Sequence, residues 1–480
     1  MTFQPVGKFK TSEQFREYLS SNNIDIQFDD AVITGVNSSL NTPYLLKDGF
    51  IIGNRFCIQP MEGWDGTPDG KPGELTFRRW KNFGRSGAKL IWGGEAVAVD
   101  HAGRANPNQL LINPDNLPFL SKLREALVEN HRHYYSKVND LLIGLQLTHS
   151  GRFSRPNSKT KPEPIIVYHH PYLDQKVGIP PDYPVITPSE INQLIDLFIL
   201  SAKLAKSAGF DFVDIKACHG YLGHEFLSAY SRNDEFGGSF ENRTRFLRTI
   251  IQGIQAEVPN LRIGVRISIF DFPVFLPNPN TRVGEPIQDA AYPRMFGVSE
   301  KKPLEINLAE PIKLLNLLKD LGVELINITA GSPYYNPHIQ RPAFFPPSDG
   351  YHPPEDPLQG VARHIKVCAE LKQYFPDMLI VGSAYTYLQE WLPNVAQFNV
   401  YNHRVDFIGL GRMVLSYPEF ANDVLSGKQL NKHAICRTFS DCTTAPRHGL
   451  VSGCYPLDSD YRKLPDYEKL LQVKGRKSSK

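Results

Sequence analysis

Residues 210–221, FDFVDIKACHGY, open as an apolar run and close by crowding Lys216, Cys218, His219 and Tyr221 into six positions. Near-continuous apolar runs suit strands covered on both faces, as in parallel sheets. Seven other runs share the plan, each short and ending on polar or glycine-containing sequence: FIIGNRFCIQPM (50–61), AKLIWGGEAV (88–97), LLIGLQLTH (141–149), RIGVRIS (262–268), VELINITAG (323–331), MLIVGSA (378–384) and VDFIGLGRM (405–413). Between them, residues 189–210, 241–258, 310–322 and 358–375 carry apolar residues at helical spacing. In the first of these, Ser189 suits an N-cap and Gly209 a stop.

Eight covered strands alternating with amphipathic helices predict an α/β fold, a closed (β/α)8 TIM barrel. A doubly wound open sheet competes, but no G-x-G-x-x-G opens a helix in this chain. The barrel domain is expected over residues 1–430. Two proline-rich insertions, 153–187 and 271–307, follow strands three and five, so they belong on the catalytic face as lid or cap material. Residues 431–480 form an irregular, cysteine-containing C-terminal extension.

Composition narrows the function classes. In 480 residues, 53 basic and 50 acidic side chains leave a formal charge of +3, too weak a field to imply a nucleic-acid or membrane partner. The one basic cluster, KGRKSSK (474–480), reads as a frayed solvated tail. No run approaches the roughly 18–20 apolar residues of a membrane span, and the N-terminus lacks a signal-peptide core. Six cysteines are too sparse for a disulfide scaffold. A soluble cytoplasmic protein is expected, with the oligomeric state open and a homo-oligomer included.

Barrel chemistry sits at the C-terminal ends of the strands. There the chain places Gly382 and Ser383 after strand seven and Gly411 and Arg412 after strand eight. Small residues that admit backbone N–H groups, beside a cation, are what a phosphate site requires; the competing reading makes the glycines ordinary turns. Gln146 and Arg266 then face the ligand's other end. An amide pairs with a ring imide edge, and a guanidinium stabilises negative charge on a reduced isoalloxazine, although Arg266 in a core ion pair is the alternative.

The stretches NRFCIQPM, QLTHSGR, HGYLGHEFLSAYSRNDEFGGSFENRTRF, GVRIS and DFIGLGR together resemble the Old Yellow Enzyme family, most closely the branch containing trimethylamine dehydrogenase and 2,4-dienoyl-CoA reductase. The resemblance covers roughly residues 40 to 430. It implies a noncovalent FMN, with Pro60, Met61 and Gly94 at backbone positions beside the flavin ring. Gln146 and Arg266 would take its pyrimidine edge, and Gly382, Ser383, Gly411 and Arg412 its phosphate. It also implies NADPH or NADH as electron donor and an ene-reductase acting on the activated C=C of an enone or enoyl compound. Lys216 and His219 would hold the substrate carbonyl, and Tyr221 would protonate carbon.

The chain departs from the family pattern at Lys216, where histidine or tyrosine is usual, and at Glu62, where a small residue usually tunes the flavin. Glu62 either lowers the flavin potential or points into a loop. Tyr334 and Tyr335 are candidates for the substrate cavity, with surface packing as the alternative for at least one. Cys436, Cys442 and Cys454 fall where that branch ligates an iron–sulfur cluster with four cysteines. Phe439 replaces a ligand, so no metal is expected and packed thiols are the simpler reading, a labile cluster or zinc being the alternative. Without the branch's further nucleotide-binding domains, electrons are expected directly from soluble nicotinamide. Three rival functions remain: a flavin-dependent dehydrogenase or desaturase working oxidatively, a non-redox barrel using Lys216 as a Schiff-base lysine, and a binding protein without turnover.

Overall fold

A computed structural model describes residues 3–289, 292–348 and 350–475; the basic run expected to fray lies outside the described residues from position 476 on. Eight parallel strands close into a barrel: β1 (Phe56–Ile58), β2 (Leu90–Ile91, resuming at Ala96–Ala98), β3 (Leu142–Thr148), β4 (Phe212–Ala217), β5 (Arg262–Ser268), β6 (Leu325–Thr329), β7 (Leu379–Gly382) and β8 (Phe407–Leu410). Each pairs with its sequence neighbours, and β8 returns to β1 through Ile408 opposite Phe56. A barrel helix covers each strand: α1 (Glu74–Arg85), α2 (Leu117–Tyr135), α3 (Pro188–Ser207), α4 (Arg245–Glu257), α5 (Ala309–Asp320), α6 (Pro357–Tyr374), α7 (Leu392–Tyr401) and α8 (Phe420–Ser426), with shorter helices in some of the loops.

The cap of α3 is Thr187, two residues before the expected Ser189. In the TPSE run, Thr187 accepts from Glu190 N while Glu190 returns to Thr187 N at 2.8 Å, a reciprocal capping box with proline at the first helical position. Gly209, at φ 89°, supports the expected stop.

Strand alternation divides the core in two. Val213, Ile215 and Ala217 pack outward in the large cluster shared with the helices. Phe212 points inward with Cys57, Leu90, Trp92, Leu142, Leu325, Leu379, Val381 and Phe407. An antiparallel hairpin, Tyr44–Leu45 with Ile51–Ile52, plugs the barrel bottom by packing Leu46 and Ile52 on that interior cluster. Space inside is allotted by glycine: a Cβ on Gly144 would fall within the Phe212 ring. The interior therefore has an apolar bottom, and the polar residues of β3–β6, with Gln59 and Ser383 just beyond β1 and β7, are left for the mouth.

Both insertions reach the catalytic face. The first carries a short helix, Pro171–Val177, and the second a hairpin, Phe275–Pro277 with Gly284–Pro286. They meet through stacked Tyr172 and Tyr292 rings, centroids 5.5 Å apart, and share an apolar cluster with Tyr221, Tyr334 and Tyr335. The C-terminal extension holds three short helices, Asp441–Arg447, Ser459–Arg462 and Asp466–Val473. It is strapped to the barrel by Arg78, which donates to both carboxylate oxygens of Asp458 at 2.7 and 3.0 Å. No helix among the described residues is long and apolar enough to cross a membrane.

Candidate active site

β4 sets the site. Its register places Asp214 opposite Gln146 of β3 and Lys216 opposite Arg266 of β5. With Val213, Ile215 and Ala217 facing the helices, Asp214 and Lys216 project into the barrel. Beyond Ala217 the chain turns through His219 at φ 67° and Gly220 at φ 78°. A histidine in the left-handed region stores backbone strain and persists only when its surroundings hold it. Two serines do so: His219 N donates to Ser268 Oγ at 2.9 Å, and Ser332 Oγ donates to His219 O at 2.8 Å. A side chain on Gly220 would collide with the Tyr335 ring, so the turn also requires glycine. It ends with Tyr221 capping the helix Leu222–Leu227.

The three residues converge on one cavity at the C-terminal mouth. The Lys216 ammonium lies 3.7 Å from the centroid of the Tyr221 ring. The Tyr221 hydroxyl donates to Glu62 Oε2 at 2.5 Å and lies 2.8 Å from the Tyr334 hydroxyl, while Trp64 Nε1 donates to Glu62 Oε1 at 3.2 Å. His219 Nε2 sits 3.1 Å from Thr329 Oγ1. Burial lowers the Lys216 pKa to about 8, opposed by Cys218 and by the Glu62 carboxylate. Burial, aided by Arg266 and Lys216, holds His219 neutral. Burial first, then Glu62 and Tyr334, raises Tyr221 well above an ordinary phenol, so its proton is firmly held. Cys218 is buried, its thiol pushed up by burial to about 11.

Beneath this group lies a polar floor. Gln146 Nε2 donates to Asp214 Oδ2 at 2.5 Å, and Asn327 Nδ2 donates to Gln59 Oε1 at 2.7 Å. Arg266 Nη1 donates to Pro60 O at 3.3 Å; burial lowers its pKa, and Cys218 and Asp214 oppose that, so Arg266 stands near one carboxylate without forming a core ion pair. On the β7–β8 side the cavity is lined by Ser383, Ala384, Thr386, Gly411 and Arg412. The nearest atom to a Cβ built on Gly411 is 4.0 Å away, leaving open space for a ligand. Arg266 Nε, Asn327 Oδ1, Gln340 Oε1 and Arg412 Nη1 are buried without hydrogen-bond partners among the described residues. Such groups are costly unless a ligand satisfies them, and a flat ring with a polar edge joined to a phosphate would do so. The residues present thus fit FMN.

Of the residues expected from sequence, Pro60, Met61, Glu62, Gln146, Lys216, His219, Tyr221, Arg266, Tyr334, Ser383, Gly411 and Arg412 all line this cavity. Three do not. Gly94 belongs to the break in β2, at φ 49°, and its carbonyl accepts from Met61 N at 3.2 Å. Gly382 turns its carbonyl toward Gln59 Nε2, at 3.4 Å. Tyr335 points away, its hydroxyl donating to buried Asp271 at 2.5 Å. The cavity also gains Trp64, Arg155, Thr329 and Gln340, and a wall from the extension that includes Cys442, Thr443 and Arg447. Thr329 could have been found as the inward end of β6; the extension carried no sequence signal for this placement. Its Cys436 and Cys454 are buried, with burial raising both thiols. Among the described residues, no three His, Cys, Asp or Glu side chains are grouped to hold a metal ion.

A closed barrel whose mouth offers a phosphate cradle, a polar floor and donors above it defines a flavin-dependent oxidoreductase. Residues 39–275 match the NADH:flavin oxidoreductase / NADH oxidase family, and the chain belongs to that family. The NADPH dehydrogenase of Bacillus velezensis is 28% identical over 399 residues, covering 82% of this chain and 95% of the relative. That of Halalkalibacterium halodurans is 31% identical over 330 residues, covering 68% and 80%. Among solved structures, the old yellow enzyme homologue from Zymomonas mobilis aligns with a TM-score of 0.57 at 21% identity, covering 82% of this chain and 94% of that one. A 2-naphthoyl-CoA reductase aligns with a TM-score of 0.63 at 18% identity, covering 88% of this chain and 57% of that one. The protein is therefore an FMN-dependent oxidoreductase that draws electrons from NAD(P)H.

Proposed function

We propose that the protein is a cytoplasmic ene-reductase that reduces the activated C=C of α,β-unsaturated carbonyl compounds. The observation carrying this reading is the convergence of Lys216, His219 and Tyr221 above Gln146 and Arg266 in one cavity. When bound, FMN supplies the hydride carrier between nicotinamide and alkene. Gln146 and Arg266 would hold its pyrimidine edge and Ser383, Gly411 and Arg412 its phosphate. The Lys216 ammonium and a neutral His219 donate to the substrate carbonyl oxygen, where negative charge builds as the double bond is reduced. Tyr221 delivers its hydroxyl proton to carbon, and Tyr334, 2.8 Å away, connects that hydroxyl to the outer cavity. The insertions and the extension, as separate cap elements on the barrel domain, exclude water.

Protein from a flavin-replete culture is expected to be yellow and to bleach anaerobically with NADPH or NADH. In Tyr221→Phe, flavin reduction by nicotinamide should stay within a few-fold of wild type. Reoxidation by an enone should slow about 10²–10⁴-fold, the usual contribution of a positioned acid. Equal slowing of both half-reactions would remove Tyr221 from the role of proton donor. The Glu62 carboxylate on the Tyr221 hydroxyl favours a second reading, oxidation of a saturated substrate with Glu62 taking the proton; bleaching by a saturated ketone without nicotinamide would select it.

A further inference from the structure

We propose that Asp214 is a positioning residue for the flavin: by taking an amide hydrogen of Gln146 it turns the Gln146 carbonyl toward the cavity, to accept the imide N–H of the FMN ring. This rests on the reading of Gln146 at the pyrimidine edge of that ring.

Asp214 is fully buried on β4 and does not line the cavity, whereas Gln146 does. The register sets Asp214 beside Gln146 on β3, and on its other flank β5 supplies Gly264, which has no side chain to compete for the carboxylate. Gln146 Nε2 donates to Asp214 Oδ2 at 2.5 Å. Turned the other way, the amide would press Oε1 against a carboxylate oxygen, two acceptors with no hydrogen between them. Burial pushes the Asp214 carboxyl up to about 7, against the Gln146 hydrogen bond and Arg266. Above about pH 8 the carboxylate form prevails, and a carboxylate only accepts. The amide is then left one orientation. Its oxygen and nitrogen diverge from a planar carbon, so with Nε2 held at the back, Oε1 is the atom shown to the ligand.

The polar floor holds a second amide, which is placed differently. Gln59 Oε1 accepts from Asn327 Nδ2 at 2.7 Å, while its Nε2 reaches Ser383 Oγ at 3.3 Å and Gly382 O at 3.4 Å. The protein engages both ends of Gln59; among the described residues, the Gln146 side chain is fastened at its nitrogen alone. The imide N–H of an oxidised flavin ring is a donor flanked by two carbonyls, so it calls for an acceptor. Arg266 carries only donors and cannot supply one. The Gln146 carbonyl can, provided that something fixes which way the amide faces.

The test strips flavin from the full chain and titrates it, at about pH 8.5 where Asp214 is ionised, with FMN and with 3-methyl-FMN, whose ring lacks the imide hydrogen. Quenching of flavin fluorescence gives both affinities, and their ratio is the number read. The wild type should prefer FMN. Asp214→Leu should cut that preference about three- to tenfold, the contribution of one amide hydrogen bond. Asp214→Asn, which can face Gln146 with either end of its own amide, should cut it about twofold, and it carries the comparison if the leucine variant does not fold. Lost packing alone would weaken both flavins in parallel, and an unchanged ratio in the Asp214 variants overturns the proposal. Gln146→Met, close in size but without the amide, separates the proposal from the reading beneath it. If Gln146→Met lowers the preference and the Asp214 variants do not, Gln146 serves the imide edge unaided and only the proposal fails. If Gln146→Met keeps the full preference, Gln146 is not at the imide edge and both fail. Added to Gln146→Met, Asp214→Leu should lower the ratio no further; an additional drop would mean that Asp214 acts on the ring directly, which also refutes the positioning role.

Discussion

Raising the pH from 7 to 10 tests the least usual residue of the site. Lys216 is pulled down to about 8 by burial, with Cys218 and Glu62 holding it up. It is then about nine-tenths protonated at pH 7 and about one-tenth at pH 9. Of the other groups facing it, His219 stays neutral throughout and Tyr221 and Cys218 keep their protons. Asp214, raised by burial to about 7, goes from about half to about nine-tenths ionised between pH 7 and 8 and its charge supports the ammonium, so the lysine's own break is read above pH 8. A phenolate that is itself ionised below pH 6 imitates the charge on the reduced substrate's oxygen. If it binds only the ammonium form, its affinity should fall about tenfold between pH 7 and 9 and about a hundredfold by pH 10, one decade per unit above the lysine pKa. Titrating the flavin absorbance with that phenolate at each pH gives the curve. Lys216→Met should bind weakly, with affinity nearly flat over the same range. A flat wild-type curve, or the same break in Lys216→Met, would refute the claim that this ammonium faces the substrate oxygen.

Two further outcomes follow from the geometry. Glu62→Gln removes the carboxylate that supports the Lys216 charge, so the break in the same binding curve should move below pH 8; an unmoved break would mean that the two charges do not sense each other. Gly144→Ala forces a methyl group into the Phe212 ring, and overpacking of this kind should cost about 1–3 kcal/mol in denaturant unfolding. Unchanged stability would show that the barrel floor is looser than the Gly144–Phe212 contact implies.

The barrel was legible because its signal is local and repeated. Each strand announces itself within a few residues, and the alternation in residues 212–217 fixes which side chains enter the interior once both faces are known to be covered. The same rule carries Gln146, Lys216 and Arg266 to the mouth, since strand ends are rigid and their direction follows from the period. Loops obey no such period. Tyr334 and Tyr335 are adjacent, yet one faces the cavity and the other is taken by Asp271, a partner supplied by another loop. Gly94 and Gly382, expected beside the flavin, lie outside the cavity lining, the carbonyl of the first accepting from Met61 N and that of the second facing Gln59 Nε2. The cavity wall formed by the extension was illegible for a similar reason, since nothing local in CRTFSDCTTAPRHGL says which end of the barrel it covers.

The two departures from the family pattern explain each other once their positions are known. A lysine buried against an aromatic ring inside a barrel is driven toward its neutral form, and a neutral amine would be a weaker donor than the histidine it replaces. Glu62 acts against that drive: its carboxylate lies on the Tyr221 hydroxyl, and the same Tyr221 ring lies under the Lys216 ammonium. The result is a lysine that stays mostly charged at neutral pH. The same carboxylate accepts from the Tyr221 hydroxyl at 2.5 Å, and burial first, with Glu62, keeps that proton on the phenol oxygen. Glu62 is therefore one of the groups, with Cys218 ahead of it, that keep charge on Lys216, so a change at residue 62 is felt at residue 216.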